Sequence, residues 1–221
     1  MKKIIYIAFA ALTLCISSCS SFEYDYYTKG ASDIHESIER LQIDWPSGTV
    51  TLRYHDLDYI KFSEQNGEEV MAWYLTGKSL YLRYSAKSRL SSKLAPKDLV
   101  VYLPAGTTLD ELDITGASCV VDADTDCRDI EIDTASGDIR YSTGITAEEM
   151  EIGTRSGNVT LALPEDTAFF LEYTSVSGDL SHSDFELEGK RGSYRFGDGR
   201  ASKIEVETIS GDLSLYHFRQ R

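Results

Sequence analysis

Side chains able to hold a cation or to work as acid and base recur at regular spacing along this 221-residue sequence. Asp138, Asn158, Asp179 and Asp212 each follow a Ser-Gly pair, and stacked in register their oxygens would supply the hard ligands that calcium prefers. The same residues are what a tight turn selects, because Asp and Asn bond nearby backbone, and the nine-residue glycine-rich spacing of calcium-binding β-rolls is missing. Asp122-Ala-Asp124-Thr-Asp126 has the alternation of an EF-hand opening, with Asp133 at the twelfth place. Cys127 stands where the sharp-turn glycine belongs, and the closing Glu is absent. Turn formation and solvation therefore outweigh metal binding at both places, and no metal or cofactor is expected. His35, His55, His182 and His217 are scattered, without triad spacing or a nucleophile elbow. The many carboxylates alternate like ordinary solvated strand faces, so no catalytic residue is assigned and the chain is read as non-enzymatic.

A different chemistry is available between Val70 and Lys97. Lys78, Arg83, Lys87, Arg89, Lys93 and Lys97 occur there without an intervening acid, and Trp73, Tyr74, Tyr81 and Tyr84 lie among them. Cations beside rings grip anionic glycans or lipid headgroups by charge and stacking. Lys78, Arg83, Lys87 and Arg89, with Trp73, Tyr81 and Tyr84, are thus the candidate anionic-ligand patch. The competing reading is a solvated hairpin and loop whose lysines protect an exposed edge. Cys119 and Cys127 could form a disulfide in an oxidising compartment, although Cys119 sits where other repeats carry a turn glycine and equally suits a small buried thiol.

The N-terminus reads as a processed segment. Lys2 and Lys3 precede an apolar stretch from Ile4 to Leu14, and Ile16-Ser17-Ser18-Cys19 resembles a bacterial lipobox. That resemblance implies cleavage before Cys19, a diacylglycerol on its thiol, and a protein held on a membrane by lipid instead of spanning it. The apolar run falls short of the ~20 residues a spanning helix needs. Ser20 after the cysteine lacks the Asp linked to inner-membrane retention, so an outer-membrane lipoprotein, surface-exposed or periplasm-facing, is expected. The chain carries 36 acids against 22 Lys and Arg, a formal charge of -14, which argues against nucleic acid as a partner because phosphate contacts need surplus cations. A glycan or an envelope protein is the expected partner.

The elements that must position these groups follow from one repeated pattern. Aligned on Ser47, Ser118, Ser136, Ser156, Ser177 and Ser210, the positions six and four before and three and five after the serine are apolar or aromatic everywhere except His182. Alternation of period two on both sides of a Ser-Gly turn describes two half-buried strands joined at a corner. One such unit cannot bury its apolar stripe, whereas units stacked about 4.8 Å apart form a continuous core. Spacings of 18, 20 and 21 between the middle serines suit a solenoid. The expected fold is all-β, a β-solenoid or right-handed parallel β-helix-like stack with an N-terminal antiparallel hairpin around Thr76-Gly77-Lys78. Residues 1–18 are read as signal peptide, 19–33 as lipidated tether, 34–217 as the β-repeat domain and 218–221 as a tail.

The order of these features resembles the bacterial candidate-adhesin β-repeat family. SGTVTL at residues 47–52, LVVYLPAGTTLDELDIT at 99–115, the SGD and SGN turns and GDGRASKIEVETISGDLSL at 197–215 carry the resemblance, which covers roughly residues 36 to 216. CVV at Cys119 departs from the pattern. The resemblance implies a domain of unknown function in secreted or lipid-anchored envelope proteins of Bacteroidetes type, a β-helical architecture and no inherited catalytic residues. It points to adhesion or surface interaction. A periplasmic envelope-stress or scaffold component binding a protein partner is the alternative, and a carbohydrate-active β-helix enzyme is the third reading.

Overall fold

A strand apolar on one side only must lie against something, and six copies of one strand pair have a shared solution, which is to lie on each other. The computed structural model describes residues 27–66, 71–84, 96–190, 192–198 and 202–219. Cys19 with the leader, and Lys87, Arg89 and Lys93, lie outside the described residues. In chain order the strands are β1 (Thr28–Lys29), β2 (Ser32–Ile34), β3 (Arg40–Asp44), β4 (Ser47–His55), β5 (Ile60–Gln65), β6 (Ala72–Thr76) and β7 (Ser79–Arg83). There follow β8 (Lys97–Pro104), β9 (Thr108–Asp124), β10 (Asp126–Ser136), β11 (Ile139–Ser142), β12 (Glu149–Ser156) and β13 (Val159–Leu163). The last are β14 (Phe169–Ser177), β15 (Leu180–Ser181), β16 (Glu188–Lys190), β17 (Ser193–Phe196), β18 (Lys203–Ser210) and β19 (Leu213–His217).

Each repeat contributes two strands that meet at its serine corner. Those before the corner pair side by side in the order β6, β7, β3, the first half of β9, β10, β12, β18 and β14. Those after it pair in the order β5, β8, β4, the second half of β9, β11, β13, β19 and β15. The register is set by the corners: Ser47 lies on Ser118, Ser118 on Ser136, Ser136 on Ser156, Ser156 on Ser210 and Ser210 on Ser177. The expected β-solenoid is therefore the fold, all-β and mostly parallel.

The coils do not follow one another in chain order. β3–β4 lies between β7–β8 and β9, and β18–β19 is inserted between β12–β13 and β14–β15. The first and last repeats thus sit one coil in from the ends. Beyond them the chain reverses. β5 and β6 run antiparallel on β8 and β7, β2 and β1 add to those, and β17 with β16 adds antiparallel to β14. Margins made of short antiparallel strands present a poorer template to another chain than one more repeat would. The hairpin anticipated around Gly77 is β6–β7, but β7 is a full member of the stack and only β6 is its cap. Within the stretch read as tether, the chain already enters the sheets at Thr28, because β1 and β2 cover the caps.

The repeated inward positions are all buried except Leu180 and His182, which lie at the two-residue β15 of the end coil. Each buried Leu, Ile or Phe side chain contributes about 1.5–3 kcal/mol by leaving water. Where the pattern fails, Phe185 closes the coil, 2% exposed and edge-on to Phe169, Phe196 and His217. Near the other end Trp45 is fully buried and its Nε1 donates to the Lys97 carbonyl at 2.9 Å.

Candidate functional site

The Ser-Gly-Asp corners are the first place to look for chemistry, and three of their four side chains already spend an oxygen on the backbone of a neighbouring coil. Asp138 Oδ1 accepts the Asn158 amide at 2.9 Å, Asn158 Oδ1 the Asp212 amide at 3.0 Å, and Asp212 Oδ1 the Asp179 amide at 2.9 Å. The ladder stitches each corner to the next coil. The glycines beside it are spacers: a methyl on Gly137, Gly157, Gly178 or Gly211 would overlap a backbone carbonyl of the neighbouring coil. Cys119 replaces that glycine in its own coil, and Gly116 makes the room, since a methyl there would come within 2.6 Å of Cys119 Cβ. The departure at Cys119 is thus compensated three residues earlier.

Cys119 and Cys127 are both buried free thiols, the second of the two readings that the sequence leaves open. Cys119 occupies a corner beside Gly48, while Cys127 opens β10 beside Leu109, so the two sit at different stations of the coil. Burial pushes both thiols up to about 12. The acidic run nearby is also committed. Asp122 Oδ2 takes a guanidinium bond from Arg53, and Asp126 Oδ1 accepts from the Thr143 hydroxyl at 3.0 Å and the Gly144 amide at 2.7 Å. Among the described residues no cluster of three or more His, Cys, Asp or Glu side chains is arranged to hold a metal ion. The histidines are apart: His35 and His55 pack on Tyr59, and His182 and His217 pack around Phe185.

The basic-aromatic patch is only partly assembled. Trp73 faces inward against Phe62, and Tyr84 is buried against Trp45, so both serve the core. Lys97 is buried too, paired with Glu64 at 3.3 Å and lying 4.6 Å from the Tyr84 ring centre. On the outward side of the hairpin, Tyr74 and Tyr81 stack in parallel at 4.2 Å, and Tyr27 meets Tyr74 edge-on at 4.9 Å. Arg83 flanks Tyr27 and lies 3.5 Å from Asp44. Lys78, at the turn, is paired with Glu39. The described patch is therefore a half-buried tyrosine ladder bordered by two cations that each face a carboxylate.

Past those tyrosines the outward face turns acidic. Asp113, Glu131, Glu151, Glu205 and Glu172 are successive register partners, all five residues before their serine. Glu111, Asp129, Glu149, Asp133 and Glu207 lie in the adjoining columns. Burial and then the neighbouring carboxylates raise the carboxyls of Asp113, Glu131 and Glu207, and burial raises Asp133. Lys203 offers local relief, 2.7 Å from Glu149 and 3.5 Å from Glu205. Sequence reasoning treated these acids singly, yet the position five before each serine was the signal that they would stack.

The family model of Toastrack DUF4097 matches residues 38–162 and again 121–216, a double match in keeping with the internal repeat. A candidate cell adhesion protein from Clostridium sporogenes ATCC 15579, whose crystal structure is known at 1.95 Å, superposes with a TM-score of 0.64 at 14% identity. That alignment covers 86% of this chain and 100% of the other, and at such identity it speaks to the fold alone. A candidate adhesin from Bacteroides fragilis NCTC 9343 aligns at 10% identity with a TM-score of 0.39, over 85% of this chain and 97% of its own. None of the curated proteins matches the chain.

Proposed function

Because this chain belongs to the Toastrack DUF4097 family, we propose that it is a non-enzymatic, lipid-anchored envelope module, attached through Cys19 and acting in adhesion or surface interaction. The observation that carries the reading is the outward ladder of Tyr27, Tyr74 and Tyr81 with Arg83 beside it. Rings held by cross-strand packing lose little freedom on contact, so they suit recognition of a flat partner. The fold shared with a candidate cell adhesion protein from Clostridium sporogenes is in keeping with that reading.

Two measurements test it. Protease treatment of intact cells should remove the domain, and full protection would rule out surface display. Replacing Tyr74 and Tyr81 together by Ala should abolish attachment of the cells or of the purified chain to its surface, with a cooperative melt retained at a lower midpoint because a cross-strand ring pair is lost; unaltered attachment would remove the hairpin from the contact.

A second reading, a periplasmic scaffold for a protein partner, is favoured by the acidic sheet. Its columns of carboxylates would complement a basic protein, and association would weaken steeply with salt.

A further inference from the structure

The other outward face, on the side of β4, β9, β11, β13 and β19, carries a groove that the reading above does not use. It follows the sixth residue after each anchor serine, a column in which Asp124 pairs with Ser142, Ser142 with Ala162, and Ala162 with Tyr216. Two small side chains stand between a carboxylate and an aromatic ring, so the surface drops across two strands. From Asp124 to Tyr216 is three strand spacings, about 14 Å. The groove has a volume of about 620 Å³, within the range of about 300–1,000 Å³ usual for ligand sites.

Its walls differ in kind. One is aromatic: Tyr216 is 42% exposed, and Phe218 is turned back over Gly144 by the bond from its amide to the Leu163 carbonyl. The other presents the carboxylates of Asp122 and Asp124. Arg53 in that wall is committed, since its guanidinium donates to both the carbonyl and the carboxylate of Asp122, fixing the acid in place. At the end nearest β15, Asp184 accepts the His217 amide at 3.1 Å, and His217, also in the lining, keeps Nε2 shut from solvent without a protein partner.

Acceptors facing flat apolar rings call for a ligand that carries donors on one side and C–H surface on the other. A sugar ring has both. Asp122, Asp124 and Asp184 outnumber Arg53 and Arg219 in the lining, so an anionic ligand would meet net negative charge, and an apolar one would strip charged groups of water. The Ser142 hydroxyl in the floor can donate or accept as the ligand requires. We propose that this groove binds a neutral oligosaccharide, its chain lying along the column with one ring stacked on Tyr216. The proposal is independent of the tyrosine hairpin, which lies on the other outward face.

The test is binding of the purified full chain to arrays of neutral, sulfated and uronic-acid oligosaccharides and to a lysine-rich peptide. The expected result is binding to neutral glycans, lowered at least tenfold by Tyr216→Ala and by Ala162→Tyr, which fills the floor. Val176→Ala, at an exposed corner position of the end coil, should leave it unchanged. Ala162→Tyr keeps the test sound if Tyr216→Ala unfolds, and thermal melts identify any variant that does. No neutral-glycan binding by the native chain, equal binding by the filled groove, or preference for the lysine-rich peptide or the anionic arms would overturn the proposal.

Discussion

At the corner of each coil, one missing methyl decides whether the next coil can stack. Gly157 lies so close to the Gly137 carbonyl that Gly157→Ala forces the two coils apart, and overpacking of this kind costs about 1–3 kcal/mol. Asp212→Ala instead removes an exposed bond to the Asp179 amide, about 0.5–1.5 kcal/mol. Urea unfolding of the two variants should rank the glycine as the more damaging; a reversed order would mean that the stitch, not the spacing, controls the corner. The serine-glycine pair was conspicuous in the sequence and its turn role readable from residue type, but contact with a carbonyl some twenty residues away was not. Lys97 shows the same limit. It looked like one more surface cation because Glu64, which neutralises it, lies 33 residues off.

Between elements, the acidic columns set how stability responds to pH. The carboxyls of Asp113, Glu131, Asp133 and Glu207 titrate above their ordinary values in the folded chain, so the native state binds more protons than the unfolded one in the window just above the ordinary carboxylate range. Stability falls as pH rises through that window. Melting temperature should therefore increase on mild acidification from neutral pH towards that window, and increase with salt at neutral pH as repulsion is screened. A profile flat in both would show that neither burial nor repulsion across the strands perturbs these carboxylates. Asp184 works in the opposite sense, its carboxyl lowered first by the His217 amide, but it stands in solvent and weighs little. The strands themselves were legible because a period of two around a fixed serine also fixes register. The columns follow from that register, whereas the groove beside Tyr216 needed the positions of Phe218 and Asp184, which belong to no repeat.

For the whole molecule, similarity among the repeats is what concealed the order of the coils. Units presenting the same edge and the same serine register are interchangeable as neighbours, so nothing in β18–β19 says that it pairs with β12–β13 as well as with β14–β15. Ending the chain after Ser202 makes the difference measurable. In a stack laid down in chain order, loss of the final repeat would shorten the solenoid by one unit and lower its stability by that unit's share. Here the missing pair lies inside the stack, so the truncated chain should lose cooperative unfolding and elute as aggregate; a soluble product with a single sharp transition would contradict the inserted arrangement.

The inserted last repeat also fixes a time. A chain released from its N-terminus can assemble the rungs as far as β12–β13 as they appear, but β14, β16 and β17 can pair only with one another, and β15 has no strand partner, until residues 203–217 arrive. Those segments cannot dock on the stack before then, and β18–β19 is the keystone that admits them. The finished fold thereby reports that residues 203–217 are in place between their two neighbours.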